Sequence, residues 1–145
     1  PHANSYRRLQ PGSFAPTSIA WGVNNRTTAI RIPAGRGSAM RLEHRLGGAD
    51  ANPYFLLAAV LAGMHRGISQ TLHAPAPIED NAYGQNLTAI PSDWYGAIAN
   101  YRRSGLLADY LGPQMHKPFG TVKQAEFDQF HAQIQPLEYQ WYLRG

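Results

Sequence analysis

The side chains of this 145-residue chain best suited to chemistry are seven arginines and one glutamate, all within the first 45 residues. Arg7, Arg8, Arg26, Arg31, Arg36, Arg41 and Arg45 are the only basic groups there, and Glu43 is the only acid; residues 46–145 carry six basic and eight acidic groups. The net charge of +4 is therefore concentrated in one segment. A segment that uses arginine every time suits fixed, bidentate contacts to carboxylate or phosphate, whereas a diffuse nucleic-acid patch mixes in lysine. In "RLEHR", residues 41–45, strand alternation would put Arg41, Glu43 and Arg45 on one face and Leu42 and His44 on the other. Such a face is either simply solvated or a site where the carboxylate takes a metal and the guanidinium groups take an anion.

The elements that must position these groups fall into two halves. Residues 1–48 are punctuated by Pro11, Gly12, Pro16, Gly22, Pro33, Gly35 and Gly37, with the extended runs "SIAWGV", "TTAIRIP" and "AMRLEHRL" between them, which predicts short strands joined by tight or functional loops. In "AIRIP" the alternation again turns an arginine, Arg31, away from Ile30 and Ile32. Residues 49–145 are predicted to be mainly helical. "NPYFLLAAVLAGMHRG" is apolar nearly all round, with Asn52 as cap, Pro53 at the first position and Gly67 at the end, so it is expected to be a core helix buried on most of its surface. Residues 69–91 are expected to form a long, flexible surface loop. Ser92 is expected to cap a helix through Arg103, and Ser104 a short one ended by Gly112-Pro113. A last helix is predicted from Phe119 to Gln133, with a further helical turn or two in "PLEYQWYLRG".

A chain of this size can bury a core as one domain. It has no cysteine, which rules out disulfides and thiolate metal sites and fits a reducing, cytoplasmic setting. No apolar run reaches the length of a membrane span, and "PHANSYRR" has neither an initiator methionine nor a signal-peptide core. The chain is thus expected to begin inside a longer protein, as a fragment or cleavage product.

Taken in order, "NSYRRL", "PGSFAP", "NNRTTAIRIP", "RLEHR" and "DANPYFLLAAVLAG" resemble the C-terminal half of the glutamine synthetase catalytic domain. The resemblance runs in register to the "PLEYQWYL" ending and implies an α+β fold, antiparallel strands followed by helices, with the upstream part of the enzyme absent. That family joins glutamate to an amine at the expense of ATP, through a γ-glutamyl phosphate, and uses Mg²⁺ or Mn²⁺. Position by position, the resemblance implies that Arg8 and Arg45 bind the carboxylates of glutamate. Arg26 and Arg31 would contact the terminal phosphates, with Arg26 the catalytic stabiliser of the transferring group. Arg41 would sit near the nucleotide, and Glu43 would be a metal ligand. It also implies a homo-oligomer, a dodecamer with sites shared between subunits, and hence an inactive isolated fragment.

Two positions depart from the family pattern. Ammonia-using members carry a glutamate where "PGSFAP" has Phe14, on the flap over the acyl phosphate. Phenylalanine can shield the site but can neither attract ammonium by charge nor take its proton, so an acceptor whose carbon chain packs on the ring is expected. This pattern is similar to the γ-glutamylputrescine or γ-glutamylpolyamine synthetase branch. At Ser38 many relatives have a lysine, which Arg36 could replace. The histidines at positions 2, 44, 65, 73, 116 and 131 show no metal-ligand spacing. Trp21, Tyr139, Trp141 and Tyr142 are expected in the core or in subunit contacts. The competing readings are an ammonia-using glutamine synthetase, a non-catalytic scaffold or regulator of the same fold, and a basic nucleic-acid module, which the arginine-only segment opposes.

Overall fold

The computed structural model describes residues 2–143. A one-turn helix, α1 (Ser5–Arg8), leads into three short strands, β1 (Trp21–Val23), β2 (Ile30–Ile32) and β3 (Glu43–His44). Five helices follow: α2 (Pro53–Ser69), α3 (Trp94–Arg103), α4 (Gly105–Leu111), α5 (Pro113–His131) and α6 (Pro136–Tyr142). The fold is α+β, with 3-10 turns at Gly37–Ala39 and Ala82–Gly84. No helix among the described residues is long and apolar enough to cross a membrane.

The sheet has the order β1-β2-β3 and is mixed. β2 and β3 are antiparallel, as expected, but β1 and β2 are parallel, with Trp21 opposite Ile30 and Val23 opposite Ile32. Parallel neighbours normally need a long crossover. Here each strand is three residues, so the connection through residues 24–29 has to return only about 7 Å. Hydrogen bonds hold that return tightly. Asn25 Oδ1 accepts from Thr27 N and Oγ1 at 3.0 and 2.7 Å, and the fully buried Thr28 Oγ1 donates to Asn25 O and Ile30 O at 3.0 and 2.9 Å.

The segment 69–91, expected as a flexible surface loop, is largely irregular, yet it is tied to β1 and the residues just before it rather than free. Ile78 N donates to Trp21 O at 2.8 Å, Ile19 N to Thr88 O at 2.7 Å and Ile90 N to Thr17 O at 3.1 Å. The Trp21 indole donates to Pro75 O at 2.7 Å, so this tryptophan fastens the segment rather than filling a core. A Cβ on Gly22 would stand 2.5 Å from Ile78 O, so the segment lies this close to the strand only because residue 22 is glycine. The composition of 69–91 concealed this, because main-chain pairing across more than 50 residues leaves no periodic trace.

Helix starts follow local chemistry. Asn52 Oδ1 accepts from Tyr54 N and Phe55 N and Pro53 holds the first position, as the cap pattern predicts. The helix continues to Ser69, past Gly67, because Thr71 and not the glycine takes the left-handed conformation (φ +51°). Asp93, not Ser92, caps α3, its Oδ1 accepting from Gly96 N at 2.7 Å. Ser104 caps α4 as expected. α5 starts at Pro113, six residues before the expected Phe119: Gly112 (φ +68°) turns the chain and Pro113 fits the first helical position. Pro118 removes one intrahelical hydrogen bond without ending the helix.

The helices pack through aromatic contacts. Trp94 of α3 is buried against Phe127 and Phe130 of α5, at centroid distances of 5.4 and 6.0 Å, which places both phenylalanines on the shared face expected of them. His116 is buried as a structural group: its Nε2 bonds Tyr101 O at 3.0 Å while Tyr101 Oη donates to His116 O at 3.2 Å. Phe55 of α2 lies 4.1 Å from Phe119. The expectation that α2 is a core helix buried on most of its surface fails. Ala62 is its only buried residue, and Tyr54, Leu57, Leu61, Met64 and Ile68 form an exposed stripe at helical spacing. Tyr139, Trp141 and Tyr142 are likewise exposed and belong to no core in this chain.

Candidate active site

β2 and β3 pair with Arg31 directly opposite Glu43. Arg31 Nη1 donates to Glu43 Oε2 at 2.9 Å, Arg31 Nη2 to Asn24 Oδ1 at 2.6 Å, and Arg41 Nη2 reaches Glu43 Oε1 at 3.3 Å. Asn24 lies in the left-handed region (φ +50°), which asparagine tolerates and which puts its amide oxygen beside the guanidinium group. The Arg31 Nε is buried with no partner among the described residues. The hydrogen bond from Arg31, reinforced by the charges of Arg31 and Arg41, holds the Glu43 carboxyl below the usual carboxylate range against an opposing contribution from burial. Glu43 is thus ionised at neutral pH.

Arg45 does not join this cluster through hydrogen bonds. Its Nη1 donates to the carbonyls of Arg26 and Thr28, the latter at 3.3 Å, and its Nη2 to Phe14 O at 2.9 Å. Burial and then the charge of Arg31 push its pKa down. Arg8, at the end of α1, donates to Arg45 O at 3.2 Å and Leu46 O at 2.7 Å. These two arginines therefore tie together the Phe14 loop, the Arg26 loop and the end of β3. A guanidinium group has five N–H donors, so each retains N–H groups for a ligand.

Phe14 sits in the left-handed region (φ +56°) and the residue is 64% exposed. The preceding turn is closed by Ser13 Oγ, which donates to Gln10 O at 2.6 Å and Arg8 O at 2.9 Å. Phe14, Arg26 and Arg31 line a single open cavity of about 670 Å³. Glu79, Asp80 and Tyr83 also line it. Their segment is held by Asn25 Nδ2, which donates to Ile78 O and Asp80 O at 2.9 and 2.8 Å. Of the residues singled out from the sequence, Arg8, Arg41, Glu43 and Arg45 lie outside the cavity wall. Asn24, Asn25, Glu79, Asp80 and Tyr83 escaped the sequence reading. The Asn-Asn pair before Arg26 was a turn signal; for residues 79–83 there was none.

No group of three or more His, Asp or Glu side chains able to hold a metal ion occurs among the described residues. Glu43 offers the ionised oxygen that a hard divalent cation prefers, but both its oxygens are engaged by arginines. These residues therefore do not make a metal site by themselves.

The fold is thus a short mixed sheet followed by a helical layer, with Arg26 and Arg31 on the wall of one open cavity. The family model "Glutamine synthetase, catalytic domain" matches residues 1–142. The chain belongs to the glutamine synthetase family. It is 38% identical to the γ-glutamylputrescine synthetase PuuA of Escherichia coli, over 100% of this chain and 31% of that protein. It is 39% identical to the γ-glutamylethanolamide synthetase GlnA4 of Streptomyces coelicolor, over 95% of this chain and 30% of that one. The glutamine synthetase of Methanococcus voltae is 36% identical, over 99% of this chain and 34% of that protein. Among solved structures, ligand-free GmaS superposes with a TM-score of 0.83 at 31% identity, covering 99% of this chain and 33% of that one. The chain spans about a third of the length of the curated relatives it matches. The similarity to the γ-glutamylputrescine synthetase branch thus rests on whole-chain matches.

Proposed function

We propose that this chain is the C-terminal part of the catalytic domain of a longer ATP-dependent ligase that joins the γ-carboxylate of glutamate to an organic amine. Residues 1–48 supply strands and site loops, and residues 49–145 supply the helical layer. In the reaction, a carboxylate oxygen attacks the γ-phosphorus of ATP and ADP leaves. The amine nitrogen then attacks the γ-glutamyl phosphate, phosphate departs, and the nitrogen loses a proton to give the amide. Phosphoryl transfer of this kind depends on positioned positive charge. Arg26 and Arg31 supply it on the cavity wall, with Arg41 beside the nucleotide. Arg8 and Arg45 bind glutamate with the N–H groups that their main-chain contacts leave free. Glu43 would hold one of the divalent cations, Mg²⁺ or Mn²⁺, only by exchanging an arginine contact and together with ligands from outside residues 1–145; that metal would neutralise phosphate charge.

The observation that carries this reading is the shared cavity: the flap residue Phe14 faces the same space as the phosphate-side Arg26 and Arg31. An aromatic wall offers a packing surface to the methylenes of an amine but no base for ammonium, and Glu79 and Asp80 in the same cavity lining complement a cation. The names of the relatives favour the same acceptor class, since two of them are synthetases of γ-glutamyl amides of putrescine and ethanolamine. Ammonia is the second reading, favoured by the glutamine synthetases among the relatives. The enzyme is proposed to act in the cytoplasm as a homo-oligomer, a dodecamer whose subunits share sites.

The test is ADP release by the full-length protein with ATP, magnesium and glutamate, comparing ammonium with putrescine, spermidine, ethanolamine and simple monoamines. A larger amine with much the higher kcat/KM is the expected result. Turnover with ammonium only makes this a glutamine synthetase with an unusual flap, and no turnover with any acceptor makes it a scaffold. Residues 1–145 alone are expected to release no ADP.

A further inference from the structure

Two consecutive carbonyls of the Phe14 loop are each held by a side chain from a remote segment. Arg45 Nη2 donates to Phe14 O at 2.9 Å, and Tyr83 Oη donates to Ala15 O at 2.8 Å across 68 residues. Immediately before these bonds Phe14 keeps φ at +56°, a conformation that bulky residues adopt only when their surroundings impose it. The ring cannot impose it: the residue is 64% exposed and the ring stacks on no other aromatic ring among the described residues. Its direction is set by its main chain.

Tyr83 is well placed to set that main chain. It sits in the 3-10 turn Ala82–Gly84, whose start is fixed by Asn81 Oδ1 accepting from Tyr83 N at 3.0 Å. The buried Ala82 N donates to Thr27 Oγ1 at 2.9 Å, and Thr27 neighbours Arg26. A short, stiff path therefore runs from the Arg26 loop through Thr27, Ala82 and Tyr83 to Ala15. We infer that Tyr83 is a positioning residue for acceptor choice: its hydroxyl latches the Phe14 loop so that the ring faces the cavity at a set distance from Arg26. This rests on the proposed acceptor role of Phe14.

Tyr83→Phe in the full-length protein keeps the ring and removes the latch. Amide hydrogen exchange, read without substrate, should quicken across residues 12–16 and stay unchanged in β2 and β3. In turnover, the KM for the preferred amine should rise roughly threefold to tenfold, the worth of one neutral hydrogen bond, while the KM values for ATP and glutamate stay within about twofold. Unchanged exchange in residues 12–16 overturns the latch whatever the acceptor is. So does a parallel rise of all three KM values with a fall in Tm, which is the pattern of a merely structural contact. Should Tyr83→Phe not fold, Asn81→Ala, which removes the oxygen that accepts from Tyr83 N and frees the turn carrying the tyrosine, decides by the exchange readout. A wild-type enzyme that uses only ammonium sinks the proposed function, and the exchange result still decides whether Tyr83 holds the loop.

Discussion

Arg31 and Glu43 stand opposite one another across β2 and β3, with Nη1 2.9 Å from Oε2, and the arginine is the more buried of the two. The pair joins the strand that faces the cavity to the strand that carries Glu43, the proposed metal ligand. Its dependence on pH follows from the lowered Glu43 pKa. The folded state binds fewer protons than the unfolded chain, so the stabilisation is complete above the ordinary carboxyl value of 4.5 and is lost as the pH falls through the lower folded value. The Tm of the wild-type protein should therefore fall below pH 4.5 with a component that Glu43→Gln lacks. Identical Tm profiles for the two proteins would remove the pair from the stability account.

Arg26 lies on the cavity wall and offers its guanidinium group without an ion-pair partner among the described residues. A donor aimed at charge that develops in the transition state is worth roughly 10²–10³ in kcat. Arg26→Ala in the full-length protein should lose that factor with the KM for glutamate little changed. Single-turnover ADP formation is the measurement, and a loss confined to KM would make Arg26 a binding residue only.

Phe14→Glu restores a carboxylate to the flap. The ratio of kcat/KM for ammonium to that for the larger amine should rise by about tenfold or more, equivalent to ~1.4 kcal/mol of discrimination. The positive φ of Phe14 accompanies the substitution, so Phe14→Asn, which suits the left-handed region but carries no charge, serves as the backbone control. A ratio that does not move in Phe14→Glu counts against the acceptor role.

The exposed stripe Tyr54, Leu57, Leu61, Met64 and Ile68 makes α2 adhesive when residues 1–145 are prepared alone. The isolated chain should self-associate in sedimentation experiments and bind a hydrophobic dye. Leu57→Lys with Leu61→Lys should reduce both while leaving the helical circular dichroism unchanged. Equal self-association of the double variant would place the adhesive surface elsewhere, for example on the exposed aromatics of α6.

The features legible in the sequence are those that neighbours along the chain decide. Asn52 with Pro53, and Ser104, start helices because a side-chain oxygen two or three residues away satisfies free N–H groups. The arginine-only segment announces anion chemistry because no other side chain offers that planar set of donors. The apolar pattern of α2 records which residues favour burial, but not what covers them, and the structure leaves one face open. Tertiary structure alone decided that Arg45 bonds to the carbonyls of the Phe14 and Arg26 loops and that residues 75–90 fasten onto residues 17–21. It likewise brought Tyr83 to Ala15. Each of those contacts has a main-chain carbonyl as acceptor, a group that is the same in every residue type, and most span tens of residues. The physical preference that forms them is satisfied only when the chain has folded, so no residue type or spacing could encode it in advance.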